Sequence, residues 1–398
     1  MDWEKIKTGN TENVTGILFT IAAALLIISM VANKPLTLMV VGFIVAYAIC
    51  IWQYSKQLGN KLKLINSSQT LRLFPGEKAE VRLIIKNESP IPYFNGQLIF
   101  YTNEKVVNQE FLYNTRSEEN KYLIPFILRG NRQKIFCIPF EAKQRGIANL
   151  HGLQLAFPHM LQFGKVYLKY NKRVKTDIII YPEIEPVYGI KEISSYRFGE
   201  QQAAFSPFEN LLNPRGIRDY LCSDPFHRIH WKASAKKQQL QVKEFEPVRN
   251  ISWSIVINTA RISPVGNLYI NERLEQFISQ AAFISLNLIE QGFPVEIYFT
   301  SAISNQLPRH LPMGEGRKHL KKVMEFLARF NEQARLLPVK SVFHLLDHRE
   351  SSLIILIGED SADMNYFQAK WRKQDKHMFY VHQGENGAYL TRVKKEGP

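Results

Sequence analysis

Two long runs without a charged residue open the chain. Val14 to Ala32 reads VTGILFTIAAALLIISMVA, Leu36 to Trp52 is almost as long, and only Asn33, Lys34 and Pro35 separate them. At a rise of about 1.5 Å per residue, roughly twenty apolar residues cross a hydrocarbon layer. The pattern therefore predicts a two-helix transmembrane hairpin within residues 1–56, with helices at about 14–32 and 36–52. From Lys61 to about Pro186 the periodicity changes to short alternating runs, among them AEVRLIIKN, GQLIFYT and KIFCIPFEAK, separated by turn residues. Such spacing predicts a β-sandwich-like domain over 61–186. Within it the polar stretch from Asn103 to Asn120 reads as a loop or hairpin tip.

After Arg249 strands and helices alternate. ISWSIVINTA is an apolar strand, and Leu274, Phe277, Ile278, Ala281, Ile284 and Leu288 recur at helical spacing between Glu272 and Gln291, with Gly292 closing the helix. FPVEIYFT, GRKHLKKVMEFLARF, SSLIILIGED, a helix over about Ala362 to Gln374 and HMFYVH continue the series. This predicts an α/β, Rossmann-like domain over 250–398, a parallel sheet covered on both faces. Residues 187–249 remain as an interdomain segment, so the expected fold class is multidomain: transmembrane hairpin, β-sandwich domain, α/β domain.

Charge gives the hairpin a direction. Lys5 and Lys7 precede the first apolar run and Lys56, Lys61 and Lys63 follow the second, against a lone Lys34 in the turn. Positive residues stay on the cytoplasmic side. The expected location is therefore the inner (cytoplasmic) membrane, multi-pass, with the soluble domains facing the cytoplasm and Trp52 and Tyr54 in the interfacial belt. A second apolar run so soon after the first argues against a cleaved signal peptide. Over the 398 residues, 51 Lys and Arg against 36 Asp and Glu give a formal charge of +15. That balance favours an anionic neighbour, membrane lipids among them. Cys50, Cys137 and Cys222 are too few and too scattered for a disulfide framework or a zinc ligand set.

The densest mixture of chemistry is RGIRDYLCSDPFHRIHWKASAKK, residues 215 to 237. Asp224, His230 and Ser234 supply the residue types of a hydrolytic triad, and His230 and Ser234 share a face if this part is helical. Triad members ordinarily come from separate segments, however, and no nucleophile-elbow sequence surrounds Ser234. Nucleic-acid binding is disfavoured by the acids interleaved with the basic residues. The structural alternative pairs Arg218 and Arg228 with Asp219, Asp224, Glu244 or Glu246, with Trp231 as an apolar anchor, and makes the segment a charge-paired joint. No catalytic residue, no metal and no cofactor is expected from this reading.

Two resemblances rest on these residues. The run Arg218-x-Tyr220-x-x-x-Asp224-x-x-x-Arg228-Ile229-His230-Trp231-Lys232-x-Ser234-Ala235, followed by Leu240 and Val242-Lys243-Glu244, resembles the signature of the bacterial family called domain of unknown function 58. With Arg215 it makes Arg215, Arg218, Tyr220, Asp224, Arg228, His230, Trp231, Ser234, Lys243 and Glu244 the binding or structural set. The chain has Ser223-Asp224 where that family usually has Gly-Asp. The last third is similar to von Willebrand factor A-type domains in its order of elements, but Asn258-Thr259-Ala260 stands where those domains carry an Asp-x-Ser-x-Ser metal motif. Asp360 and Asp363 could still offer oxygens, although acids after a strand more often cap helices. The first resemblance implies no established reaction. It implies an adaptor or chaperone-like protein acting in envelope maturation or stress with a MoxR-type AAA+ ATPase, and in some members with a transglutaminase-like membrane protein.

Overall fold

The computed structural model describes residues 2–6, 16–17, 20–27, 35–65, 68–116, 119–158, 165–190, 209–247, 252–302, 307–331, 333–349, 353–359, 363–374, 376–384 and 387–392. They fall into two compact units, Met1–Glu183 with Leu327–Phe330, and Ile184–Phe326 with Asn331–Pro398.

The first unit is built from strands that pair antiparallel, except that Thr176–Ile180 runs parallel to Gln69–Leu73. One six-stranded sheet runs in the order Trp3–Ile6, Lys165–Tyr170, His151–Pro158, Tyr93–Asn103, Glu119–Leu128, Leu112–Arg116. A four-stranded sheet is centred on Lys78–Asn87 and Gln133–Ala142, and a three-stranded sheet joins Gly146–Asn149, Thr176–Ile180 and Gln69–Leu73. Alternation decides which faces meet. Val81 lies opposite Ile138 and Leu83 opposite Phe136 across one ladder, all four buried, and they join Leu98, Phe100, Leu155 and Ile178 from the other sheets in one hydrophobic cluster. The polar stretch read as a loop tip carries strands of its own, Val106–Val107 and Leu112–Arg116. Its polar residues replace apolar packing with bonds: Asn108 Oδ1 accepts from the Glu110 and Phe111 N–H groups, and Asn120 Nδ2 donates to the Val106 carbonyl.

The expected transmembrane hairpin, and with it the fold class and the multi-pass inner-membrane location, is corrected. Among the described residues no helix is long and apolar enough to cross a membrane. Of the first apolar run, 16–17 and 20–27 are described, all as helix, and the rest lies outside the described residues. The second run belongs to the helix Pro35–Gln57, whose end is built into protein. Tyr54, expected in an interfacial belt, packs against the sheet core with its ring 6.4 Å from that of Tyr93, and burial pushes its hydroxyl up to about 12. Leu58 and Leu62 follow it into the same cluster. At the other flank Trp3–Ile6 pairs antiparallel with Lys165–Tyr170, and Trp3 is buried against Tyr170.

The second unit is an α/β layer. Trp253–Ile257, Val295–Ala302, Leu353–Ile357 and His377–Gly384 run parallel, with Pro308–Gly314 and Gly387–Arg392 added antiparallel. Every residue of Trp253–Ile257 and Leu353–Ile357 is buried, as a strand covered on both faces requires. The helix expected over Glu272 to Gln291 is Leu274–Glu290, and Gly292 follows it at φ +84. One helix was not anticipated, Val339–Asp347. It buries Val339, Val342, Phe343 and Leu346 in a cluster with Val256, Tyr298, Ile354, Phe367 and Trp371. Lys376 ends it: its ammonium donates to the Leu346 and Asp347 carbonyls at 2.8 and 3.0 Å, and burial lowers its pKa.

Candidate functional site

The segment richest in chemistry folds as a hairpin whose turn has been enlarged into a small knot. Strand Glu209–Asp219 pairs antiparallel with Gln241–Pro247, placing Arg218 opposite Val242 and Asp219 opposite Gln241. Between them lie a 3-10 turn, Phe226–Arg228, a bridge from Ile229 to Val242, and a helix, Trp231–Lys237. The helix stops at Gln238, which takes the left-handed conformation at φ 54.

Arg218 grips Asp224 with both arms of its guanidinium, at 2.7 and 2.6 Å, and a third bond runs from Arg218 to the Asp219 carbonyl. The Leu221 N–H also donates to Asp224, at 2.9 Å. The Arg218 guanidinium first, then the Leu221 N–H, hold the Asp224 carboxyl below its ordinary value of 3.8. The Asp224 side chain is 9% exposed and that of Arg218 40%, so the pair sits at the rim of the knot. A second clamp joins Asp219 to Lys237 at 2.8 Å and to Gln241 Nε2 at 2.5 Å, and lowers the Asp219 pKa.

Ser234 and His230 work on the backbone. His230 is the N-cap of the helix: its Nδ1 accepts from the Ala233 N–H at 3.1 Å. Ser234 is buried; its Oγ donates to the His230 carbonyl at 3.1 Å and accepts from the Gln241 N–H at 2.9 Å. A catalytic triad needs the hydroxyl to donate to an imidazole that a carboxylate orients. Here the hydroxyl faces a carbonyl, the imidazole faces a backbone amide, and the carboxylate faces arginine.

The rest of the expected set is dispersed around this knot. Tyr220 stacks on Phe226 with ring centroids 6.0 Å apart. Arg228 and Lys243 are half-buried, Glu244 is exposed, and the charge of Arg228 also favours ionised Asp224. Trp231, expected as a packed anchor, is 67% exposed. For Arg215 the structure describes the strand but not the side chain.

Residues 216–358 match the family described as "Protein of unknown function DUF58". The knot and most of the parallel sheet lie within that segment. A protein of Bacillus subtilis (strain 168), described as "Uncharacterized protein YeaD", is 26% identical over 112 residues, which make up 28% of this chain and 25% of that relative. The match thus spans about a quarter of the curated relative's length. Among solved structures, a type I cohesin–dockerin complex from Clostridium thermocellum covers 30% of this chain and 99% of the matched chain, at 16% identity and a TM-score of 0.21. A family 123 glycoside hydrolase from Clostridium perfringens covers 79% of this chain and 68% of its own, at 10% identity and a TM-score of 0.19. Overlaps of that size are too small to establish a shared fold.

Elsewhere in the DUF58-matching segment, the carboxyl end of the parallel sheet holds Asn258, Thr259 and Thr300, all buried. Thr300 Oγ1 accepts from the Thr259 N–H at 2.8 Å and donates to Asn258 Oδ1 at 3.2 Å, while Thr259 Oγ1 donates to the Thr300 carbonyl at 3.1 Å. These side-chain oxygens are bonded to one another and to backbone. Gly358 seals the place: at φ +134, a Cβ there would lie 2.9 Å from the Asn258 carbonyl. Asp360 and the side chain of Asp363 lie outside the described residues.

Sequence reasoning missed a third cluster, at the opposite end of the same strands. Glu296 is 1% exposed; it accepts from Ser254 Oγ at 2.6 Å, from Tyr298 at 3.1 Å and from His310 Nε2 at 3.2 Å. The His310 ring lies flat on Tyr298, with centroids 4.2 Å apart. Burial pushes the Glu296 carboxyl up, but the bonds from His310 and Ser254 together with the His310 charge outweigh it, and its pKa is lowered. The carboxylate stands between the hydroxyl and the imidazole, so Ser254 is not activated by His310. The group clasps the edge strand Pro308–Gly314 to the sheet. A lone Glu within FPVEIYFT was the available signal, because a charge inside a buried strand needs partners.

Proposed function

We propose that the chain is a non-enzymatic adaptor or chaperone-like protein that works with a MoxR-type AAA+ ATPase in envelope maturation or stress. One observation carries this reading. The acid, imidazole and hydroxyl of the signature are all committed to holding the knot closed, whereas its largest apolar side chains, Phe226 and Trp231, face solvent. An active site presents the reverse, with reactive groups open to substrate and bulky apolar groups packed behind them. The ATPase itself comes from the family resemblance, as does a transglutaminase-like partner. Part of the same proposal is the division into 61–186, 187–249 and 250–398, with a von Willebrand A-like last domain whose metal motif is replaced by Asn258-Thr259-Ala260.

The test is affinity purification of the full chain from its native cells after cross-linking, with and without ATP. Recovery of an AAA+ ATPase, with a yield that changes with nucleotide, is the expected result. Its absence under conditions that preserve other complexes removes the reading.

A further inference from the structure

Five large apolar side chains are exposed within 24 residues of the knot: Ile217, Leu221, Phe226, Trp231 and Leu240, with Phe226 at 73% and Trp231 at 67%. Single exposed apolar residues are ordinary, but an indole left 67% exposed on a helix offers contact area to a partner. The helix shows how one face is arranged. Ser234 points inward and Ala233 is half-buried, while Trp231, Lys232, Ala235 and Lys236 are exposed. Residues one turn apart lie side by side, so Trp231 borders Ala235 and Lys232 borders Lys236. Both lysines lie on the same side of the indole, so the exposed face carries an indole with a pair of ammonium groups to one side.

The local acids do not neutralise it. Asp224 is held by Arg218, and Asp219 by Lys237 and Gln241. No ion pair involves Lys232 or Lys236 among the described residues. We propose that the outward face of the Trp231–Lys237 helix is a docking surface for an acidic protein segment bearing large apolar side chains. Aromatic anchors supply the contact area, and the lysines select sign. This rests on the adaptor reading and names the chemistry of its partner.

The probe is a fluorescently labelled synthetic helical peptide of Glu and Leu, titrated with the full chain and compared with a Lys and Leu counterpart and with a single-stranded DNA oligonucleotide. The acidic peptide binds and the basic one does not. Trp231→Ala weakens binding by about tenfold or more without moving the urea unfolding midpoint, and the pair Lys232→Glu with Lys236→Glu reverses the preference between the peptides. Equal binding of both peptides by the unaltered chain overturns the proposal. So does retention of DNA that depends on the lysines but not on Trp231, which makes the face a polyanion site. If the ATPase fails to co-purify while the peptide results hold, the adaptor reading falls and the surface stands. If the ATPase co-purifies at unchanged yield with all three substitutions, the surface falls and the adaptor reading stands.

Discussion

Two places in the second unit contain a serine, a carboxylate and a histidine, and they use them in opposite ways. In the signature knot, Ser234, Asp224 and His230 lie within eleven residues of one another in sequence, yet each bonds to a different neighbour. In the parallel sheet, Ser254, Glu296 and His310 come from three strands and converge on one carboxylate. Closeness along the chain set residues of the knot to closing backbone turns, because the nearest donors and acceptors there are amides and carbonyls. Distance along the chain let the sheet bring side chains together in the interior, where a carboxylate is tolerated only with partners. Convergence of residue types is thus no guide to chemistry: neither group aligns a hydroxyl, an imidazole and a carboxylate in the order that activates a nucleophile.

The contrast can be broken most forcefully at Glu296. Glu296→Ala leaves Ser254, Tyr298 and His310 facing a void and is expected to lower stability by about 3 kcal/mol in urea unfolding, with Glu296→Gln costing less. An unchanged midpoint for the alanine variant removes the clasp. In the knot, Ser234→Ala leaves the buried Gln241 N–H without its acceptor and should cost about 1–2 kcal/mol. His230→Ala removes the helix N-cap, at about 1 kcal/mol, and His230→Asn should restore most of it. Recovery by asparagine separates a cap from a catalytic imidazole.

Acid sharpens the same comparison. Both carboxyls are held below their ordinary values, 4.5 for Glu296 and 3.8 for Asp224, so the unfolded chain binds protons more readily than the folded one. Their contribution is fully present above those values and is lost as pH falls below them. Glu296→Gln and Asp224→Asn should each flatten the acid limb of a stability–pH profile; a limb of unchanged slope in both variants contradicts the assignments. The smallest effect belongs to Trp231→Ala, within about 0.5 kcal/mol of the unaltered chain, because an exposed side chain has little packing to lose.

Much of the fold was readable from pattern. Alternation in AEVRLIIKN became the strand Lys78–Asn87, and the apolar spacing after Glu272 became Leu274–Glu290. The helix Val339–Asp347 was missed although Val339, Val342, Phe343 and Leu346 carry helical spacing, since nine residues after a proline give little to count. The apolar opening led to a wrong architecture. Hydropathy records only that side chains avoid water, and the packing of Tyr54 and Leu58 against strands distant in sequence is invisible to it.

By itself, then, the order of residues determined local periodicity, the places where strands alternate with helices, and the concentration of charge in residues 215 to 237, because these depend on neighbours along the chain. Only the tertiary structure decided that Asp224 faces Arg218, that Ser234 faces backbone, that Trp231 faces solvent and that Glu296 gathers three donors. Those outcomes depend on which groups lie within about 3 Å in space, and strand pairing across tens of residues sets that distance.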